Sequence, residues 1–173
     1  MKHEKRRFLF AALAAIIGGC ALHFLYAVLP NPLTALVAPV NESVWEHLKL
    51  LFWPVLGAAV VLSTRAPCRI RLWCGFLTAL LAMPVFLLGM YYLLRRLGLS
   101  GLALDILLYY VTIFGGFWLA WHLQRAGRLQ RHCGILLMLV ILYGAGLILF
   151  TFAAPPLKLF TPPAAGVWPD SAF

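Results

Sequence analysis

Long apolar stretches dominate this sequence and restrict the chain to folds that are stable in lipid. An α-helix needs about 20 mostly apolar residues to cross the hydrocarbon core of a bilayer. Five stretches reach that length: residues 8–29, 42–62, 72–94, 102–123 and 135–154. Charged residues make up 11% of the chain, against roughly 25% in a soluble domain. The sequence therefore predicts an all-α, polytopic membrane bundle of five transmembrane helices, forming a single membrane domain over residues 1–173.

The first stretch follows the basic sequence KHEKRR, a pattern that membrane anchors share with cleaved signal peptides. Residues 8–29 form a longer apolar run than the roughly 7–15 residues of a signal-peptide core. We therefore expect this segment to remain as the first transmembrane helix.

Basic residues alternate between the two ends of the predicted helices. One end carries Arg95, Arg96 and Lys158, and the other carries Lys2, Lys5, Arg6, Arg7, Arg65, Arg69, Arg71, Arg125, Arg128 and Arg131. Because Lys and Arg concentrate on the cytoplasmic side of membrane proteins, we expect the N-terminus inside and the C-terminus outside. This placement explains the net charge of +9. We therefore expect the lipid bilayer, and no nucleic acid, as a partner.

The C-terminal tail, residues 155–173, is rich in proline but also contains large apolar side chains. Proline prevents a regular helix here, and the apolar side chains disfavour a tail that extends freely into water. We expect the tail to lie back across the outer surface as a partial lid.

The cysteines show no CxxC spacing, and Cys68, Cys74 and Cys133 fall near the predicted cytoplasmic face. Disulfides are rare in a reducing cytoplasm, and thiolate zinc sites use closely spaced cysteines. We therefore expect neither a disulfide framework nor a thiolate zinc site.

The stretch VNESVWEHLKL, residues 40–50, places polar side chains at the start of the second predicted helix. With a rise of about 1.5 Å per residue, His47 lies at a depth similar to that of His23 in the first helix and Asp105 in the fourth. Ionisable groups at membrane depth are costly unless they face the bundle interior and find partners. We expect these helices to share a polar layer in the outer leaflet.

Two histidines and several carboxylates match the ligands of zinc or another divalent first-row metal. In this interpretation His23, His47 and Asp105 are metal ligands, and Glu42 or Glu46 is the catalytic general base that accepts the proton of an activated water. The predicted activity is metal-dependent intramembrane hydrolysis of a lipid or membrane-embedded substrate at the outer leaflet.

Four further residues are expected to bind substrate: Arg95, Arg96, Ser43 and Tyr109. The arginines would face an anionic head group, and Arg96 shares the predicted inner face of its helix with Gly89 and Tyr92.

Part of this polar layer also has a structural interpretation. Ser43 followed by Glu46 matches the capping box of a helix N-terminus. Glu46 and Lys49, three residues apart, can form an ion pair on one helix face, which leaves Glu42 as the freer acid.

Two other functional classes fit the same residues. Clustered Glu, His and Asp side chains inside a bundle also form proton relays in small proton-coupled transporters. Alternating access with so few helices would imply a homo-oligomer. The third class is a non-catalytic lipid-binding or assembly protein.

Three segments, NESVWEHLKLLFWP, CALHFLY and FTFAAPPLKLF, resemble the signature of an uncharacterised family of small bacterial multi-pass membrane proteins. The resemblance covers most of the chain and implies a multi-pass location in the cell membrane, the bacterial inner membrane. It supports the predicted fold, but it implies no activity because the family has none assigned.

Overall fold

The described part of the chain is mainly helical. The computed structural model describes residues 2–127 and 129–162, and no strand occurs within them. The helices are α1 (Lys2–Val28), α2 (Pro32–Val37), α3 (Val44–His47), α4 (Lys49–Ser63), α5 (Arg69–Arg96), α6 (Leu102–Ala126) and α7 (Cys133–Phe152), with a 3₁₀ turn at Gln130–His132.

Five helices in this part of the chain are long and apolar enough to cross a membrane, and α3 with α4 forms the second of them, Val44–Ser63. The predicted all-α class is therefore confirmed, and so is the number of helices that are long and apolar enough to cross a membrane. The orientation of the bundle stays a prediction.

Small residues allow the spans to pack closely. α5 and α6 form an antiparallel hairpin, α1 packs against α4 and α6, and α7 packs against α5. A Cβ on Gly75 of α5 would lie 2.6 Å from the Ala120 carbonyl oxygen of α6, so only glycine allows this approach. On α1, the small residues Ala15 and Gly19 are buried.

One predicted helix face is wrong over its outer half. Gly89, Tyr92 and Arg96 of α5 are exposed, whereas Arg95 is partly buried and turns toward α6. A face predicted at fixed helical spacing over the whole of α5 therefore does not hold at its outer end.

The connection between α1 and α3, residues 29–43, is an ordered segment that contains α2. The Asn31 side chain caps α2 by accepting hydrogen bonds from Leu33 N and Thr34 N, at 2.9 and 3.0 Å. The indole of Trp53 in α4 donates to the Leu36 carbonyl at 3.1 Å. These bonds fix the connection against the outer end of the second span.

The second span begins two residues later than predicted, and this changes the position of Glu42. Ser43 is the N-cap of α3, and its hydroxyl accepts from Glu46 N at 3.3 Å. Glu42 therefore lies before the helix, whereas the predicted stretch 42–62 included it. The predicted N-cap role of Ser43 is confirmed.

Cys74 and Cys133 form a disulfide that joins α5 to the start of α7. The expectation that these cysteines stay unpaired is wrong. They are separated by 59 residues, so only the packing of α5 against α7 brings them together.

The first part of the tail folds back onto α3. Trp45 N donates to the Leu159 carbonyl at 3.1 Å, and the Phe160 ring packs against Trp45 and Phe150 with centroids 4.9 and 5.3 Å away. Residues 163–173 lie outside the described residues, so the lid stays a prediction.

Candidate metal centre

The His47 ring has a fixed orientation. Its Nδ1 lies 2.8 Å from the Ser43 carbonyl oxygen. Because a carbonyl oxygen only accepts hydrogen bonds, Nδ1 carries the proton and donates it. The neutral ring then presents its unprotonated Nε2 away from the helix. A backbone hydrogen bond of this kind commonly orients a metal-binding histidine and selects its tautomer.

The Glu42 carboxylate faces that free nitrogen. Glu42 Oε2 lies 3.3 Å from His47 Nε2, and the Glu42 side chain is 60% exposed. When Nε2 also carries a proton, its hydrogen bond to the carboxylate holds the pKa of Glu42 below its usual range. A neutral imidazole nitrogen and a carboxylate oxygen are both acceptors, so their contact requires a cation between them, either a proton on the ring or a metal ion.

His23 of α1 completes the group. Its ring centroid lies 5.2 Å from that of His47, and its buried Nδ1 has no hydrogen-bond partner in the described part of the chain. One ligand atom each from His23, Glu42 and His47 lies within 4.8 Å of the other two. We call these residues the His–Glu–His cluster.

The ligand atoms of the cluster suit a transition metal. Two imidazole nitrogens and one carboxylate oxygen form one of the sets that hold catalytic zinc, in which a fourth position remains for water or substrate. The same set occurs with other divalent first-row metals. The partly exposed side chains leave this fourth position accessible from outside the bundle.

A buried polar network holds the peptide segment that carries Glu42 and His47. Lys49 is fully buried, and its ammonium donates to Glu46 Oε2 at 2.7 Å and to the carbonyls of Ala35 and Ala38 at 2.7 and 3.2 Å. The predicted ion pair of Glu46 with Lys49 is confirmed. The network ties the connection to the first turns of the second span.

Three donors surround the Glu46 carboxylate. Besides Lys49, it accepts from Val40 N at Oε2 and from the Thr151 hydroxyl at Oε1, each at 3.0 Å. These bonds link the connection, α3 and α7. They give Glu46 a structural role, whereas Glu42, the other predicted general base, lies in the His–Glu–His cluster.

Tyr109, predicted to bind substrate, instead contacts the backbone of α4. Its hydroxyl donates to the Leu50 carbonyl at 3.3 Å. In a regular helix that carbonyl would accept from the residue four positions on, but this residue is Pro54, which has no N–H. A Cβ on Gly19 would meet both the Tyr109 hydroxyl and the Leu50 carbonyl, so Gly19 makes room for the bond.

Asp105, predicted as a metal ligand, pairs with Arg95 across the α5–α6 hairpin. The Arg95 Nη2 to Asp105 Oδ2 distance is 2.8 Å, and each side chain is 21% exposed. Asp105 is not one of the grouped ligand residues among the described positions. Glu42 occupies the place in the cluster that the prediction gave to Asp105.

The structure thus brings together His23 and His47, as predicted, and adds Glu42 as the third member. It places Ser43 beneath the cluster as the acceptor of the His47 ring and turns Arg96 toward the outside. The N-cap motif could have predicted that Glu42 lies outside the helix, because the residue before an N-cap is not helical.

Fold and site together define a small helical protein in which five helices are long and apolar enough to cross a membrane and in which two histidines and a glutamate are clustered. The chain belongs to the family of unknown function DUF6512, whose model matches residues 1–168. No curated protein and no solved structure matches the chain.

Proposed function

We propose that the protein binds a divalent first-row metal ion, with zinc as the leading candidate, through His23, Glu42 and His47. The observation that carries this proposal is the contact of His47 Nε2 with Glu42 Oε2 at 3.3 Å, while His47 Nδ1 is engaged by a backbone carbonyl. Two acceptors that face each other, with a second histidine within reach, match the donor set of a metal centre.

The reaction we propose is hydrolysis of a lipid or membrane-embedded substrate at the outer leaflet. A bound zinc ion lowers the pKa of its water to about 7 and polarises a substrate carbonyl or phosphoryl oxygen. Because Glu42 would itself hold the metal ion, the proton of that water would leave to solvent at the exposed side of the cluster. Ser43 keeps the His47 ring in place, and the Lys49–Glu46 pair keeps the peptide segment in place.

Metal analysis of protein purified in detergent without chelator tests the proposal. We expect about one metal ion per chain in the unmodified protein, and its loss in His23→Ala, Glu42→Gln and His47→Ala. His122→Ala is the matched control, because His122 packs against tryptophans elsewhere in α6 and its replacement should leave the metal in place. Metal-free unmodified protein, or equal loss in the control, would contradict the proposal.

Hydrolysis is tested separately. The metal-loaded protein is incubated with membrane lipids, and the products are identified by mass spectrometry. We expect products that His47→Ala does not release, while thermal unfolding reports whether that variant is folded. Bound metal without any product would remove the hydrolase and leave a non-catalytic metal-binding or assembly protein.

A proton relay is the second candidate, and the same contact favours it. Without a metal ion, a protonated His47 satisfies Glu42, and the nearby His23 ring extends the line of titratable groups. Proton flux into liposomes that falls in His47→Ala, together with no bound metal, would support a small proton-coupled transporter in place of the hydrolase.

A further inference from the structure

Helix register places the Arg95–Asp105 pair beside the His–Glu–His cluster. The side chain of Tyr109 fits between Gly19 of α1 and Leu50 of α4, so these positions share one level of the bundle. A step of four residues toward the predicted outer end of the bundle, about 6 Å along the helix axis, leads to the level of the cluster.

Three neighbouring elements each have an ionisable residue near that level. α1 leads from Gly19 to His23, the chain leads back from Leu50 in α4 to His47 at the end of α3, and α6 leads back from Tyr109 to Asp105. The Asp105 carboxylate and its arginine partner therefore lie at the level of the cluster.

Arg95 is held in one orientation by two neighbours. Its Nη2 donates to Asp105 at 2.8 Å, and its guanidinium lies over the Tyr91 ring, 4.7 Å from the centroid. A guanidinium has five N–H donors in a planar fork, and Asp105 accepts from one nitrogen. The donors that face neither Asp105 nor Tyr91 stay available to a ligand.

The adjacent arginine has no such arrangement. Arg96 is exposed, and its side chain makes no hydrogen bond or ion pair with the residues that the structure describes. The side chains of Arg95 and Arg96 have the same charge and neighbouring positions, but they differ in the contacts that hold them. Orientation by Asp105 and Tyr91 is therefore what sets Arg95 apart.

We propose that Arg95, oriented by Asp105 and Tyr91, binds the phosphate group of an anionic lipid beside the His–Glu–His cluster. The inference names the substrate class of the proposed function and rests on it. A planar guanidinium matches the oxygens of a phosphate in a bidentate contact. Lipid phosphates lie at the membrane interface, and α5 ends at this level on its predicted outer side. Asp105 is a positioning residue in this arrangement.

Binding of a short-chain phosphatidic acid to the purified full chain tests the proposal. We expect Arg95→Gln to weaken binding by about 10- to 100-fold, as for the loss of charge-assisted hydrogen bonds. Arg96→Gln removes the same charge one residue away and is expected to change affinity less than about twofold, because exposed charges contribute little. Equal weakening in both variants would overturn the proposal in favour of general surface charge.

Three further measurements sharpen the test. Asp105→Asn should weaken lipid binding through loss of orientation, and Arg95→Lys should restore it only in part, because an ammonium lacks the fork. Phosphatidylcholine should bind weakly in every variant, and inorganic phosphate should compete poorly. Efficient competition by inorganic phosphate would overturn the lipid as the source of the phosphate.

Metal content separates this proposal from the proposed function. Arg95→Gln should keep the full metal content, and the loss of the partner of Asp105 should lower the unfolding temperature. Lipid binding specific to Arg95 in a metal-free protein would sustain the phosphate site and contradict the metal centre. Bound metal together with equal lipid binding by the Arg95 and Arg96 variants would sustain the metal centre and contradict the phosphate site.

Discussion

Replacing Lys49 by methionine is expected to destabilise the outer corner of the bundle more than a typical core substitution. The Lys49 side chain is 0% exposed, and methionine keeps the length of its aliphatic part while removing the ammonium. The substitution breaks an ion pair and two hydrogen bonds to the α1–α3 connection.

The magnitude follows from what the substitution leaves behind. Removing one partner of a buried ion pair costs about 3–5 kcal/mol, because the remaining charge stays buried and unpaired. Here the Glu46 carboxylate keeps only neutral donors, and the carbonyls of Ala35 and Ala38 each lose one. With a shift of about 2–4 °C per kcal/mol for a chain of this size, we expect the unfolding temperature to fall by about 6–20 °C.

A double-mutant cycle provides the assay. Lys49→Met, Glu46→Gln and the double variant are compared by thermal unfolding in detergent, followed by tryptophan fluorescence. The double variant should lose less stability than the sum of the single variants, because it leaves no unpaired charge. Additive losses, or a fall of less than about 2 °C in Lys49→Met, would refute the buried ion pair.

Three other changes have expected outcomes. Gly19→Ala should lower the unfolding temperature, since its Cβ would meet a tyrosine hydroxyl and a backbone carbonyl, whereas Gly18→Ala, whose Cβ would lie 3.7 Å from a proline side chain, should not. Because the pKa of Glu42 is lowered in the folded protein, its carboxylate contributes stability above the ordinary carboxyl pKa, and this contribution is lost as the pH falls through the lowered pKa. Thermal unfolding of Glu42→Gln across acid pH should lack this loss of stability. Peptide mapping without reduction should recover Cys74 linked to Cys133, and separate alkylated peptides would contradict the disulfide.

Hydropathy was sufficient to predict the five spans, because each is a long apolar run in a chain with few charges. α2 was missed because its sequence PLTALV has six residues, too few for a periodic pattern. The disulfide was missed for a different reason. No local spacing encodes the approach of Cys74 to Cys133, which depends on how α5 packs against α7.

Depth along the helices was sufficient to bring His23 and His47 together. The prediction misjudged the carboxylates, because their positions depend on local geometry at helix ends. Glu42 can reach His47 because α3 starts after Glu42 and leaves it outside the helix. Asp105 contacts Arg95 because a short connection closes the α5–α6 hairpin. Counting residues along ideal helices gives neither result.

The polar network around Glu46 also constrains the order in which the bundle can form. The helical stretch Val44–Ser63 is the least apolar of the five candidate spans in the described chain, and it carries both members of the buried ion pair. One donor to Glu46, the Thr151 hydroxyl, belongs to α7, the last helix of the described chain. Because the chain is synthesised from its N-terminus, Glu46 is made before this donor, and this corner of the bundle completes its hydrogen bonds only once α7 is present.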